Sequence, residues 1–124
     1  MISNYRLSAK CVMLTYPKCE VPKEEMLTHL LNLDPTPCYV CVAKELHEDG
    51  SPHLHALIVF EKKIEKKNAQ TWLNYGSNVC NIQSARSSAK CYDYVRKDGD
   101  FVEHGNNYEL RWSLLFDRDY EFTW

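Results

Sequence analysis

Cys38-Tyr39-Val40-Cys41-Val42-Ala43-Lys44-Glu45-Leu46, then His47-Glu48-Asp49-Gly50-Ser51-Pro52, then His53-Leu54-His55-Ala56-Leu57-Ile58-Val59-Phe60 is the stretch that decides the fold. Two apolar runs of strand length flank a polar connection that carries Gly50 and Pro52. This pattern predicts a β-hairpin, with strands over 38–46 and 53–60. An antiparallel pair sets the end of its first strand beside the start of its second. The residues around Glu45 and those around His53 are therefore expected to be neighbours.

Working outward, residues 10–15 read as a strand ended by Tyr16-Pro17. Pro22 opens a helix over 23–33, with Glu24 and Glu25 in the first turn where the helix dipole favours them. Met26, Leu27, Leu30, Leu31 and Leu33 recur at helical spacing and should pack on a sheet. Asp34-Pro35-Thr36-Pro37 is a turn. Beyond Phe60 a lysine-rich loop and a short helical stretch (66–75, with Trp72 and Leu73) precede a strand over 79–83. A helix over 85–97 stops at Asp98-Gly99, and Phe101 and Val102 add a short strand. The sum is an α+β single domain, a mainly antiparallel five-stranded sheet with helices packed against it. In the tail (108–124), Trp112, Phe116, Tyr120 and Trp124 stand four residues apart, a helical stripe expected to pack onto the body.

A chain of 124 residues, 44% hydrophobic and 26% charged, suits one globular domain. It is too short for a (β/α)₈ barrel and has no run of about 20 apolar residues. The net charge of −2 conceals a division: residues 61–97 carry eight Lys/Arg and three Asp/Glu, a net of +5, between acidic flanks. A basic middle can hold a phosphate-binding surface, and equally it can be a solvated loop. The six cysteines read as reduced thiols in a core, since Met1-Ile2-Ser3-Asn4-Tyr5-Arg6 has no apolar signal segment. An intracellular protein is expected. Cys38 and Cys41, placed on one strand an odd number apart, are expected on opposite faces and so share no ligand.

Chemistry concentrates in two places. His53 and His55 are i and i+2 on a strand, so their rings share a face, and Glu45 across the hairpin supplies a carboxylate. Two imidazoles and a carboxylate make a mixed N/O site suited to Mn²⁺ or Mg²⁺, with zinc also compatible. His-x-His is a common pair, and two polar strand residues without metal remain an alternative reading. His47, Glu48 and Asp49 read as solvated turn residues. On the last helix, Tyr94 and Lys97 are i and i+3 neighbours on a polar face with Lys90, whereas Tyr92 and Val95 fall on the core face. A tyrosine beside cations can act as a nucleophile toward phosphate; it can equally be an exposed tyrosine with a lysine nearby.

Three segments carry a resemblance. Met13-Leu14-Thr15-Tyr16-Pro17, His53-Leu54-His55 and Tyr94-Val95-Arg96-Lys97 are similar, in order, to the three motifs of the replication-initiator (Rep) proteins of geminiviruses and related circular single-stranded DNA viruses or plasmids. The likeness spans residues 10–103. It implies an HUH endonuclease domain of RRM-like fold, a sequence-specific single-stranded DNA endonuclease that nicks and rejoins strands to start rolling-circle replication. Glu45, His53 and His55 would hold Mn²⁺ or Mg²⁺. Tyr94 would form a 5′-phosphotyrosine, Lys97 would assist it, and Asp98 could approach the metal or simply end the helix. The implied partner is the single-stranded loop of an origin hairpin. Thr15, Tyr16 and Pro17 would lie near the recognition surface, Tyr16 stacking on a base or merely ending its strand. Lys62, Lys63, Lys66, Lys67, Arg86, Lys90 and Arg96 would meet phosphates. No membrane role is implied. Oligomerisation of a longer protein stays open, and so does whether the chain continues past Trp124. No G-x-x-x-x-G-K-[ST] occurs, so a helicase part is not expected within these residues. The expected location is the nucleus of a eukaryotic host, or otherwise the cytoplasm. A competing reading keeps the fold and the origin binding without the catalysis.

Overall fold

The hairpin forms part of a five-stranded antiparallel sheet. In the computed structural model, which describes residues 6–46, 48–84 and 88–105, β1 (Leu7–Tyr16), β2 (Tyr39–Leu46), β3 (Pro52–Lys66), β4 (Asn81–Ser84) and β5 (Phe101–Gly105) are joined in the order β4-β1-β3-β2-β5. Three helices intervene: α1 (Lys23–Leu31), α2 (Ala69–Leu73) and α3 (Ser88–Arg96). No described helix is long and apolar enough to cross a membrane. The tail stripe from Trp112 to Trp124 lies outside the described residues.

Strand alternation sorts side chains into two cores, one on each face of the sheet. Val12 and Leu14 of β1, Val40 and Val42 of β2, and Leu54, Ala56, Ile58 and Phe60 of β3 pack against Met26 and Leu30 of α1 and Ala69 and Leu73 of α2. Cys11, Tyr39, Cys41, Ala43, Leu57 and Val59 form the other core with Val95 of α3, joined by Tyr92, Met13 and Phe101. Both faces of β2 and β3 are covered, which is why the hairpin strands read as near-continuous apolar runs rather than alternating ones.

Pro22 caps α1, with its carbonyl accepting from the backbone N–H of Glu25 and Met26. The helix ends at Leu31, earlier than expected, yet Leu33 is still buried. A larger departure concerns residues 61–66. They form no lysine-rich loop but continue β3, where Leu7, Ser8 and Ala9 of β1 pair with Lys66, Glu65 and Ile64. The pairing shifts register between Ala9 and Cys11, so the extra length of β3 is taken up in an irregularity. Lys62 and Lys63 are exposed there, whereas Ile64 packs against the same core as Leu7 and Ala9.

All six cysteines are free thiols. Cys38 precedes β2 rather than lying on it, and its backbone N–H donates to Val59 O. Alternation therefore does not govern it, and it packs in the same core as Cys41 instead of on the opposite face.

Candidate active site

Register alone assembles the cluster. On the α3 face, Thr15 of β1, His55 of β3 and Ala43 of β2 form one cross-strand row, and Glu45 pairs with His53 in the next. His53 and His55 are both buried, and their Nε2 atoms are 3.0 Å apart. Glu45 presents Oε2 at 3.2 Å from His55 Nε2 and Oε1 at 4.0 Å from His53 Nε2. Among the described residues, these three side chains offer ligand atoms that all lie within 4.8 Å of one another.

The donor set fits a divalent cation. A metal needs imidazole in its neutral form. Burial first, and the neighbouring His53 second, push the His55 pKa below its ordinary value against the opposing pull of Glu45. Thr15 Oγ1 stands 3.2 Å from His55 Nδ1, on the far side of the ring from the cluster. Two imidazole nitrogens and a carboxylate, with no thiolate, make a mixed N/O donor set for a divalent cation.

Helix α3 brings the second constellation over this one. The Tyr94 ring meets the His55 ring edge-on, with centroids 5.7 Å apart, and the residue is 46% exposed. Lys97 follows the helix in a turn, where its N–H donates to Tyr94 O. Its Nζ lies 4.3 Å from the Tyr94 ring centroid and 3.8 Å from Glu45 Oε2. One ammonium thus spans the candidate nucleophile and the candidate metal cluster. Tyr92 of the same helix packs into the core beside Tyr39, which separates the two tyrosines as their spacing predicts. Asp98 is exposed in the turn after α3.

Other expected contacts are placed differently. Tyr16 is fully buried, and its hydroxyl donates to Leu73 O at 2.6 Å, so no ring face is left for a base to stack on. Pro17, the next residue, is exposed. Arg96 lies over the rings of Tyr92 and Phe101 at 4.4 and 4.7 Å, contacts Glu103 and donates to the Tyr92 hydroxyl. Its guanidinium is held by the fold rather than offered to phosphate. Lys66 sits over Trp72. Lys62 is seven residues along β3 from His55, up to roughly 23 Å at strand rise, so the β3 lysines and Lys67 are remote from the cluster. Lys90 is exposed and lines a cavity with Tyr94. Arg86 lies outside the described residues.

Sequence reading missed Gln83 and Cys91, which line that same cavity with Met13, Thr15 and His55. It also missed the contact between Thr15 and His55. The signal for the latter was parity: Cys11, Met13 and Thr15 alternate on one face of β1, and pairing β1 with β3 sets Thr15 against His55.

Over 110 residues the chain is 40% identical to the "Replication-associated protein" of Cabbage leaf curl virus (isolate Jamaica), an alignment that covers 82% of the chain and 32% of that relative. The chain therefore spans about a third of the relative's length. Residues 5–110 match the Geminivirus Rep catalytic domain. That span contains β1, the histidine hairpin and the tyrosine helix, and with them every group of the cluster just described; the chain belongs to the Geminivirus Rep catalytic domain family.

Proposed function

We propose that this chain is the nicking and joining domain of a rolling-circle replication initiator, cutting a single-stranded origin sequence through Tyr94 in the nucleus of a eukaryotic host. The observation that carries the reading is the position of Lys97 Nζ, 4.3 Å from the Tyr94 ring centroid and 3.8 Å from Glu45, which joins a solvent-accessible phenol to a three-ligand cluster. The similarity to a viral replication-associated protein supports the same reading.

Glu45, His53 and His55 would hold Mn²⁺ or Mg²⁺, which when bound supplies Lewis-acid polarisation of the scissile phosphate. Tyr94 Oη attacks phosphorus while the P–O3′ bond breaks. The phenol proton ends on the released 3′-oxygen, and the chain retains the DNA as a 5′-phosphotyrosine ester. Lys97 offsets charge on the phosphoryl oxygens. Attack by a 3′-hydroxyl on the ester reverses the step and rejoins strands.

Covalent capture tests the proposal. The protein is mixed with Mn²⁺ and a panel of single-stranded origin loops, then run on a denaturing gel. An SDS-resistant shifted band that disappears with Tyr94→Phe is the expected result. No band with any divalent metal would leave a non-catalytic origin-binding module as the better description.

A further inference from the structure

Tyr94 and Lys97 occupy the polar face of α3, so their place over the cluster is decided on the opposite face, where Tyr92 and Val95 pack into the core. Arg96 ends that inner face. Its guanidinium lies 4.4 Å from the Tyr92 ring and 4.7 Å from the Phe101 ring, and it donates to the Tyr92 hydroxyl. Nη2 of the same group stands 3.7 Å from Glu103 Oε2, while Glu103 Oε1 accepts from the Tyr39 hydroxyl at 2.5 Å. One carboxylate on the edge strand β5 thus links the tyrosine helix to the buried Tyr39 of β2. We propose that Glu103 is a positioning residue for the nicking step. By holding Arg96 against β5 and β2 it fixes the last turn of α3, and with it the reach of Tyr94 and Lys97 over Glu45, His53 and His55. The inference rests on the nicking reading for the reaction it assists.

The register builds this anchor beside the cluster. Phe101 and Glu103 pair with Ala43 and Cys41 of β2, so their side chains lie on the α3 face of the sheet. Phe101 extends the cross-strand row of Thr15, His55 and Ala43 by one strand. Both donors to Glu103 keep their protons. Arg96 is always charged, and burial first, with Glu103 second, pushes the Tyr39 pKa up. The backbone beyond the helix is tied down as well: Gly99 N–H donates to Arg96 O at 3.1 Å, and Lys44 N–H of β2 donates to Asp100 O at 2.9 Å. Arg96 supplies the side-chain half of the same attachment.

Lys97 follows Arg96 directly, and its Nζ reaches both Tyr94 and Glu45. A pivot at Arg96 would therefore move nucleophile and cation together. In-line attack needs its atoms within about 3–3.5 Å, and a misplacement of about 1 Å can cost on the order of a hundredfold. Glu103 lies outside the three sequence motifs and acts through Arg96.

The test is single-turnover formation of the covalent adduct, with Mn²⁺ and a saturating single-stranded origin oligonucleotide. It is paired with Mn²⁺ calorimetry, oligonucleotide anisotropy without metal, and NMR of ¹³C-labelled tyrosine rings, in which Tyr94→Phe assigns the Tyr94 signal. Glu103→Ala should slow the adduct step by roughly tenfold to a hundredfold and shift the Tyr94 signal, with both affinities within about twofold of wild type. Glu103→Gln keeps acceptors for Tyr39 and Arg96 and should recover most of the rate. Arg96→Lys keeps the charge without the planar group over the rings. It should slow the step by itself, and adding it to Glu103→Ala should slow that variant no further. Tyr16→Phe, which destabilises the opposite core, should leave the rate and the Tyr94 signal at wild type. A Tyr94 signal that shifts in Glu103→Ala, in a protein that never forms the adduct, supports the anchoring of Tyr94 and sinks the nicking reading. A wild-type rate in Glu103→Ala, or an equal loss in Tyr16→Phe, overturns the anchor. So does an unmoved Tyr94 signal, or a loss confined to Mn²⁺ or DNA affinity. Should Glu103→Ala not fold, the rate and ring signal of Arg96→Lys decide by the same criteria.

Discussion

Thr15 and His55 face each other across the β1–β3 pairing, with Thr15 Oγ1 3.2 Å from His55 Nδ1. This contact links the first sequence motif to the second. When His55 Nδ1–H donates to Thr15, the Nε2 lone pair is directed at Glu45 and His53, the tautomer a metal ligand needs.

Removing that acceptor should weaken metal binding without disturbing the sheet. Thr15→Val keeps the shape of the side chain and should lower Mn²⁺ affinity by about tenfold or more, as outer-shell changes do. Thr15→Ser should restore most of it. Calorimetric titration with Mn²⁺ alone measures both variants. Equal affinities for wild type and Thr15→Val would show that the contact orients nothing.

The adjacent residue should behave in the opposite manner. Tyr16 is buried and donates to Leu73 O, tying β1 to the end of α2. Tyr16→Phe strands a buried carbonyl at a cost of about 1–3 kcal/mol. The urea midpoint should fall, while affinity for single-stranded DNA, measured well below that midpoint, should stay within twofold. A selective loss of DNA binding at unchanged stability would return Tyr16 to the recognition surface.

Much of this site was legible because strand chemistry is local. His53 and His55 share a face by alternation, Glu45 joins them by hairpin pairing, and Tyr94 separates from Tyr92 by helical spacing. What was hidden depends on which element lies above or beside. The stretch 61–66 looks like a loop because Ile64 is its single apolar residue, and only pairing with Leu7–Ala9 makes it a strand. Arg96 looks like a phosphate contact until Phe101 and Glu103 arrive from β5, a strand on the far side of a turn. Gln83 has no local signature at all. It lines the cavity because of the edge it occupies and the helix across from it.

Gly105 limits how β5 meets β2. It adopts φ +116° opposite Tyr39, and a Cβ there would lie 2.2 Å from Cys38 O and 2.8 Å from Tyr39 Cα. Both contacts are to backbone, so Gly105→Ala must push the edge strand away. The expected cost is about 2 kcal/mol or more, from the clash together with the strain of that φ. Chemical unfolding measures it, and a midpoint equal to wild type would mean that β5 pairs loosely enough to absorb a methyl group.

The basic segment, finally, should divide into cations that meet DNA and cations that hold the fold. Each phosphate neutralised on a single strand contributes about 0.7 to the slope of log affinity against log salt. Lys90, beside Tyr94 in the cavity, should account for one such contact, so Lys90→Ala should flatten the slope by about 0.7 at unchanged stability. Lys62→Ala should leave the slope for a short oligonucleotide unaltered, because its position on β3 is far from His55. Arg96→Ala should also leave the slope alone, but it removes two cation–π contacts and a partner of Glu103. A stability loss of about 1–2 kcal/mol is expected from those rings. Salt titrations of the three variants against one oligonucleotide, paired with urea unfolding, separate the roles. A flattened slope in Arg96→Ala with full stability would place its guanidinium on phosphate after all.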